Sequence, residues 1–175
     1  MNLLLTLGCA LLTSTSGEDK AELGKVVPDL TFKDLSGKEF KLSDFRKNEK
    51  SEGKVVHLVF WSYKCPSGAK IMADLKALSE KCEKEGVVFV GLCAYGESED
   101  QLKKYADQND VKYPLCFDTD KKGAKLFDAK VVTASFVLDR EGKLVYRGAW
   151  GKAWAATEAT LAGKEVAEKE TKAKG

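Results

Sequence analysis

The sequence is poor in the residues that build compact metal sites. It contains one histidine, His57, and its five cysteines are spread so widely that no Cys-x-x-Cys pair occurs. A protein zinc site needs several Cys or His ligands at short spacing. We therefore expect no metal site and no bound cofactor. The cysteines are Cys9, Cys65, Cys82, Cys93 and Cys116.

The chain also lacks an excess of charge of either sign. Lys and Arg number 29 against 27 Asp and Glu, which leaves a net charge of +2. Proteins that bind nucleic acid or anionic membranes concentrate positive charge, so the composition argues against both partners. Hydrophobic residues make up 43% of the 175 residues, which is enough for one core without disulfide staples.

The first residues are apolar and then small, with six leucines between positions 3 and 12. This run is too short for a membrane span but resembles a secretory signal, although no Lys or Arg precedes it. Residues 7–9, Leu-Gly-Cys, resemble the end of a bacterial lipoprotein signal, from which Thr6 departs. We expect residues 1–24 to be a signal peptide and polar lead-in, Cys9 to be a candidate lipid anchor, and the protein to be exported to the periplasm or envelope. Without a working signal it would be cytoplasmic.

The first half of the chain predicts a β-hairpin followed by a parallel unit. Residues 30–32 and 39–42 alternate apolar and polar around a turn. Residues 55–61 are almost continuously apolar, which is typical of a strand buried on both faces. Residues 87–92 form a second such strand. Between them, apolar residues at helical spacing predict a helix with one buried face; they are Ile71, Leu75, Leu78 and Cys82.

The second half predicts further helices around a late hairpin. Residues 98–101 form a capping box that starts a helix, and residues 120–127 predict a short one. Residues 135–138 and 144–146 flank a turn and form the hairpin, and residues 155–161 predict a last helix.

This order of elements predicts an α/β domain with a mixed central sheet flanked by helices. We expect it to span residues 25–164, with residues 165–175 as a charged, solvated tail.

Four stretches in the same order resemble the redoxin, or thioredoxin-like, family. It includes the alkyl hydroperoxide reductase–thiol-specific antioxidant group and the thiol-disulfide oxidoreductases of the bacterial envelope. The resemblance implies a thioredoxin-like fold with an N-terminal β-hairpin, and a redox-active Cys65 at the start of a helix. The stretches are residues 32–45, 59–66, 136–148 and 161–171.

The chain departs from its family patterns near this cysteine. Gly68 stands where a Cys-x-x-Cys motif has its second cysteine, and residues 132–135, which include Thr133, lack the family's cis-proline. Ser62 and Cys65 match half of the peroxiredoxin motif, but Leu58 stands at its proline, and no Arg comes just before Phe136. The sequence is thus an atypical member with one active-site cysteine.

A cysteine attacks disulfides and peroxides as a thiolate. The predicted helix N-terminus at Cys65 favours an anion, and Pro66 fits the first helical turn. Lys64 and Lys70 add positive charge. Trp61 is expected to shield the sulfur from water.

Other side chains have more than one interpretation. The resemblance to peroxiredoxins implies that Ser62 donates a hydrogen bond to the sulfur, although a solvated or backbone-bonded hydroxyl is the alternative. Thr133 is expected to support the site from the stretch before the late hairpin. His57 is interpreted as structural.

A lone reactive cysteine stops at a sulfenic acid or a mixed disulfide. An external thiol or a distant cysteine must then complete the cycle. Cys93 ends the second parallel strand at the same sheet edge as Cys65, so it is a candidate resolving cysteine. Cys82 is interpreted as a core residue, and Cys116 as core or loop packing.

The sequence therefore predicts a thiol-based redox protein in which Cys65 acts on a peroxide or disulfide. Its partners would be a thiol reductant, a disulfide-bearing protein or a hydroperoxide. The alternative is a binding or adaptor module in which Cys65 is vestigial.

The apolar start makes export testable. We expect the mature protein, expressed in a bacterium, to lack its first residues or to carry lipid on Cys9. Intact-mass spectrometry of fractionated cells checks this. Recovery of the chain from the cytosol with Met1 in place would contradict it.

Overall fold

The computed structural model describes residues 20–173, so the predicted signal and Cys9 lie outside the described residues. It confirms a mixed central sheet with the strand order β5-β4-β3-β6-β7, beside a separate β1-β2 hairpin. Strands β3, β4 and β5 are parallel, whereas β6 and β7 are antiparallel to their neighbours. The strands are β1 (Thr31–Lys33), β2 (Glu39–Lys41), β3 (Val56–Phe60), β4 (Val88–Cys93), β5 (Leu115–Phe117), β6 (Ala134–Leu138) and β7 (Leu144–Ala149).

In the described part of the chain, five α-helices cover the sheet. They are α1 (Pro66–Lys70), α2 (Met72–Lys84), α3 (Glu99–Gln108), α4 (Lys122–Leu126) and α5 (Trp150–Leu161). Helices α2, α3 and α5 bury side chains in a core on one face of the sheet. The hairpin and α4 contribute to the core on the other face. Within residues 20–173, no helix is long and apolar enough to cross a membrane.

Strand β3 lies at the centre of the sheet, and all five of its residues are buried. Leu58 and Phe60 face the core shared with the hairpin, while Val59 faces the helix-covered core. A strand between two apolar layers has no polar face, which explains the continuous apolar run in the sequence.

The helix predictions agree with the structure in their main features. Leu75 and Cys82 of α2 are buried. The Ser98 hydroxyl accepts a hydrogen bond from the Gln101 N–H, and the Gln101 side chain accepts one from the Ser98 N–H, so the capping box is confirmed. Helix α5 begins at Trp150, earlier than predicted, because the chain passes from β7 into the helix without a loop.

The sequence pattern missed strand β5. Its three residues are too few to show a periodicity, and they follow Pro114 directly. The strand pairs with β4 in parallel and places Cys116 in the core, which decides between the two predicted environments of that cysteine.

The chain after residue 165 is not the solvated tail that its charge predicts. Val166 is buried, and Arg147 of β7 exchanges backbone hydrogen bonds with Lys169 and Thr171. The Thr171 hydroxyl lies 2.6 Å from the Tyr146 hydroxyl and accepts a hydrogen bond from the Ala149 N–H. The charged residues face solvent, while the backbone and two side chains attach the segment to the sheet.

His57 has a structural environment, as the sequence suggested. Its ring is fully buried, its Nδ1 lies 3.0 Å from the Thr157 hydroxyl, and its ring packs against Phe89. That hydroxyl donates to the Ala153 carbonyl, so the imidazole Nδ1 donates to it. Burial lowers the pKa of His57 from 6.5 to about 4.

The buried imidazole predicts an acid-sensitive fold. Between about pH 6.5 and pH 4, the unfolded chain binds a proton at His57 that the folded chain does not, so the free energy of unfolding falls as the pH is lowered. This group should contribute a loss of roughly 3 kcal/mol across the window. Denaturant unfolding of His57→Leu at several pH values should give a shallower dependence. An identical slope in both proteins would contradict this.

Candidate active site

Cys65 lies where the chain passes from the central strand into a helix. It caps the N-terminus of α1, whose first residue is Pro66, and its carbonyl accepts a hydrogen bond from the Ala69 N–H at 2.9 Å. The helix thus begins directly after Cys65, as predicted. The Cys65 side chain is half-buried.

Trp61 holds this turn from the buried side. It is fully buried, and its indole N–H donates to the Gly68 carbonyl at 2.8 Å, which ties the end of β3 to α1. The rings of Tyr63 and Tyr105 stack in parallel with centroids 4.3 Å apart, and both rings contact Trp61. An aromatic cluster therefore supports the loop that leads to Cys65.

A buried carboxylate, Glu97, lies behind the same loop with only 5% of its surface exposed. One of its oxygens, Oε1, accepts hydrogen bonds from the Ser62 hydroxyl at 2.5 Å and from the Lys64 N–H at 3.3 Å. The other oxygen accepts one from the Cys93 thiol at 3.1 Å. Glu97 thus links the residues before Cys65 to the end of β4.

These contacts correct the expectation for Ser62 and show what the Lys64 side chain binds. The Ser62 hydroxyl donates its proton to Glu97, so it does not donate to the Cys65 sulfur. The Lys64 ammonium donates to the Gly96 carbonyl and to the Gln101 side chain, both at 2.9 Å. It is therefore held against the start of α3, while the exposed Lys70 lies in the last turn of α1.

Thr133 lies in the stretch before the late hairpin, where the family resemblance implies a cis-proline. Its N–H donates to the Phe60 carbonyl at 2.7 Å, and its carbonyl accepts from the Trp150 N–H at 3.1 Å. Its φ of +72° lies in the left-handed region, which is an outlier for a β-branched residue. Thr133 thus joins the end of β3 to the start of α5 with a strained backbone.

Gly68 stands where a Cys-x-x-Cys motif would have its second cysteine. It is packed against the loop that leads to Cys65. A Cβ added there would lie 1.9 Å from the Ser62 carbonyl oxygen and 3.0 Å from its carbon. Both atoms belong to the backbone, so neither can move aside as a side-chain end does. A cysteine at this position would require the loop before Cys65 to shift.

The other described cysteines are buried thiols. Burial raises the pKa of Cys82 to about 12, and burial with the charges of Asp34 and Asp118 raises that of Cys116 to about 12. Burial raises the pKa of Cys93 furthest, and its hydrogen bond to Glu97 adds to the effect. Among residues 20–173, Cys65 is therefore the one thiol that reaches solvent.

Sequence reasoning missed Glu97 and Tyr63. Glu97 directly precedes the capping box of α3, where an acidic residue is ordinary, and its partners are distant in the chain. Tyr63 lies in a loop that shows no periodicity. In the described part of the chain, no group of three or more His, Cys, Asp or Glu side chains could hold a metal ion.

Comparisons with known proteins show the family. The family model of the AhpC/TSA family matches residues 23–147. The thiol-disulfide oxidoreductase ResA of Bacillus cereus is 32% identical over 130 residues, which cover 74% of this chain and 71% of that protein.

Two solved structures share the fold. An uncharacterized conserved protein from Geobacillus kaustophilus superposes with a TM-score of 0.74 at 25% identity, covering 86% of this chain and 87% of the other. The pneumococcal exposed lipoprotein thioredoxin of Streptococcus pneumoniae gives 0.60 at 24% identity, covering 70% and 89%.

The fold and the strand-to-helix cysteine define a thioredoxin-like redoxin. Within this class the chain belongs to the AhpC/TSA family, and it is related to thiol-disulfide oxidoreductases.

The packing of Gly68 makes a stability prediction. Helix propensity alone favours alanine over glycine, but the Gly68→Ala side chain would overlap the Ser62 backbone, so we expect a loss of roughly 1 to 3 kcal/mol. Gly151 of α5 has open space at its Cβ position, and Gly151→Ala should cost nothing or stabilise by up to about 1 kcal/mol. Urea unfolding compares the two. Equal effects would contradict the packing argument.

Proposed function

We propose that this chain is a thiol-based redox protein in which Cys65 is the reacting group. The observation that carries the proposal is the contrast among the described cysteines, since Cys65 is half-exposed at a helix start while the other three are buried. The relation to thiol-disulfide oxidoreductases favours this activity over an adaptor role.

The chemistry is nucleophilic attack by the Cys65 thiolate. On a disulfide, the thiolate forms a new S–S bond, the old bond breaks, and one substrate thiolate leaves. On a hydroperoxide, the thiolate takes the terminal oxygen to become a sulfenic acid, and an alcohol or water leaves after protonation.

An external thiol completes the cycle in this proposal. Gly68 offers no second sulfur beside Cys65, and the packing against Ser62 leaves no room for one. Cys93 is fully buried and its pKa is raised, so its thiolate is scarce. On the mixed disulfide, an outside thiol attacks the partner's sulfur, a new S–S bond forms between those two, and the Cys65 thiolate leaves. On the sulfenic acid, a first outside thiol forms a mixed disulfide and releases water, and a second outside thiol then frees Cys65 in the same way. Neither route needs Gly68 or Cys93.

The partners follow from this chemistry. A disulfide-bearing protein fits the name of the Bacillus cereus relative, and a small hydroperoxide fits the name of the family. We also propose that the protein is exported, with Cys9 as a candidate lipid anchor or, alternatively, with the signal peptide cleaved near residues 14–17. The apolar N-terminal run supports this.

The reactivity of Cys65 tests the proposed function. At about pH 7, iodoacetamide should modify Cys65 first, because the other described thiols are buried and protonated. Peroxide treatment should give a dimedone-reactive sulfenic acid on Cys65 before any other site. Peptide mass spectrometry assigns both products.

Two variants provide the matched comparison. Cys65→Ser should abolish thiol-dependent turnover of disulfide or peroxide, whereas Cys82→Ser should change stability alone. If Cys65 in the folded protein reacts no faster than in an unfolded peptide, the redox proposal is wrong and the adaptor alternative becomes the better one.

A further inference from the structure

The environment of Glu97 is unusual for a carboxylate. It is buried between the loop before Cys65 and the end of β4. Within residues 20–173, no Lys, Arg or His side-chain nitrogen lies within 4.0 Å of it. A buried charge without a counterion depends on hydrogen-bond donors. Here these are neutral groups of Ser62, Lys64 and Cys93.

Two of these donors belong to the loop that ends at Cys65. The Lys64 N–H belongs to the main chain of the residue directly before Cys65. Its hydrogen bond to Glu97 therefore restrains the backbone direction with which the chain enters Cys65. The Lys64 ammonium is bound to the Gly96 carbonyl, next to Glu97 in the chain. The loop is therefore held to the segment after β4 through its backbone and through its side chains.

The third donor, Cys93, belongs to β4 and is as deeply buried as Cys82. A thiol is a weak donor, and a hydrogen bond to a charged acceptor is the kind that contributes most. The hydrogen bond to Glu97 is therefore a structural role for the buried Cys93 thiol that does not involve redox chemistry.

We propose that Glu97 is a positioning residue for Cys65, and that Cys93 serves as a hydrogen-bond donor to Glu97 and not as a second redox cysteine. The carboxylate of Glu97 holds the loop before Cys65, so that the Cys65 sulfur is kept at the start of α1. This inference rests on the proposed function of Cys65 and names two residues on which its reactivity depends.

A single-turnover reaction isolates the positioning effect. The Cys65 thiolate attacks the disulfide of 5,5′-dithiobis(2-nitrobenzoate). A mixed disulfide with Cys65 forms, the S–S bond of the reagent breaks, and one coloured thionitrobenzoate leaves. Its release, followed by stopped-flow absorbance, gives the rate of attack without a complete catalytic cycle. The variants are Cys93→Ala, which removes the donor, Cys93→Ser, which replaces it with a hydroxyl, and Ser62→Ala.

We expect Cys93→Ala and Ser62→Ala each to slow the attack by about tenfold, the size of effect that follows loss of a hydrogen bond to a charged group. Cys93→Ser should stay within about threefold of the unaltered protein. Cys82→Ala is the matched control, since it truncates an equally buried thiol on α2. It should lower the free energy of unfolding but leave the rate unchanged.

Two outcomes would overturn the proposal. If Cys93→Ser is slowed as much as Cys93→Ala, the sulfur itself matters and the donor role is wrong. If Ser62→Ala reacts as fast as the unaltered protein, Glu97 does not position the loop, and this arm holds even if Cys93→Ala fails to fold. The rate of each variant is compared with the rate of the unaltered protein, which tests the positioning role. The proposed function is tested separately, because it fails if the unaltered protein reacts only as fast as an unfolded peptide that contains Cys65.

Discussion

The burial of β3 on both faces is the constraint on which the rest of the structure depends. Leu58, Val59 and Phe60 have no exposed surface, so the strand is fixed in register with β4 and β6 and cannot slip without exposing a whole row of side chains. The chain leaves this rigid strand at Trp61 and reaches Cys65 within one short loop. The Cys65 thiol is therefore placed by a fully buried strand.

The loop between β3 and α1 is held by contacts that differ in kind. The indole of Trp61 and the close approach of Gly68 to Ser62 fix it against α1, whereas Glu97 fixes it against the end of β4. The space that a second side chain would need is taken by the backbone of Ser62, so the site is packed as a one-thiol site.

Much of the fold was predictable because its signals are local. The apolar runs at residues 55–61 and 87–92 and the capping box at Ser98 each carry their structural meaning within a few residues. The position of Cys65 before Pro66 was equally readable. The role of Glu97 was not, because its partner Ser62 is 35 positions away, and burial of a carboxylate has no local sequence signal.

The failed prediction for the C-terminal segment has the same physical origin. Charge predicts solvation of side chains, but the segment is attached through its backbone and through Thr171, which lies so close to Gly148 that any side chain there would collide with it. A long-range fit of this kind is decided by the three-dimensional arrangement of β7 and is invisible to composition.

That attachment also determines how other proteins can approach the sheet. The open side of β7 is occupied by residues 169–171, and the open side of β5 is met by the hairpin through the Asp34–Cys116 bridge and the bond from the Leu35 N–H to the Leu115 carbonyl. Both borders of the sheet are thus covered by the chain itself, which protects it from strand-to-strand aggregation. Another polypeptide cannot extend this sheet at these covered places, whereas Cys65 lies at the strand ends, away from both borders.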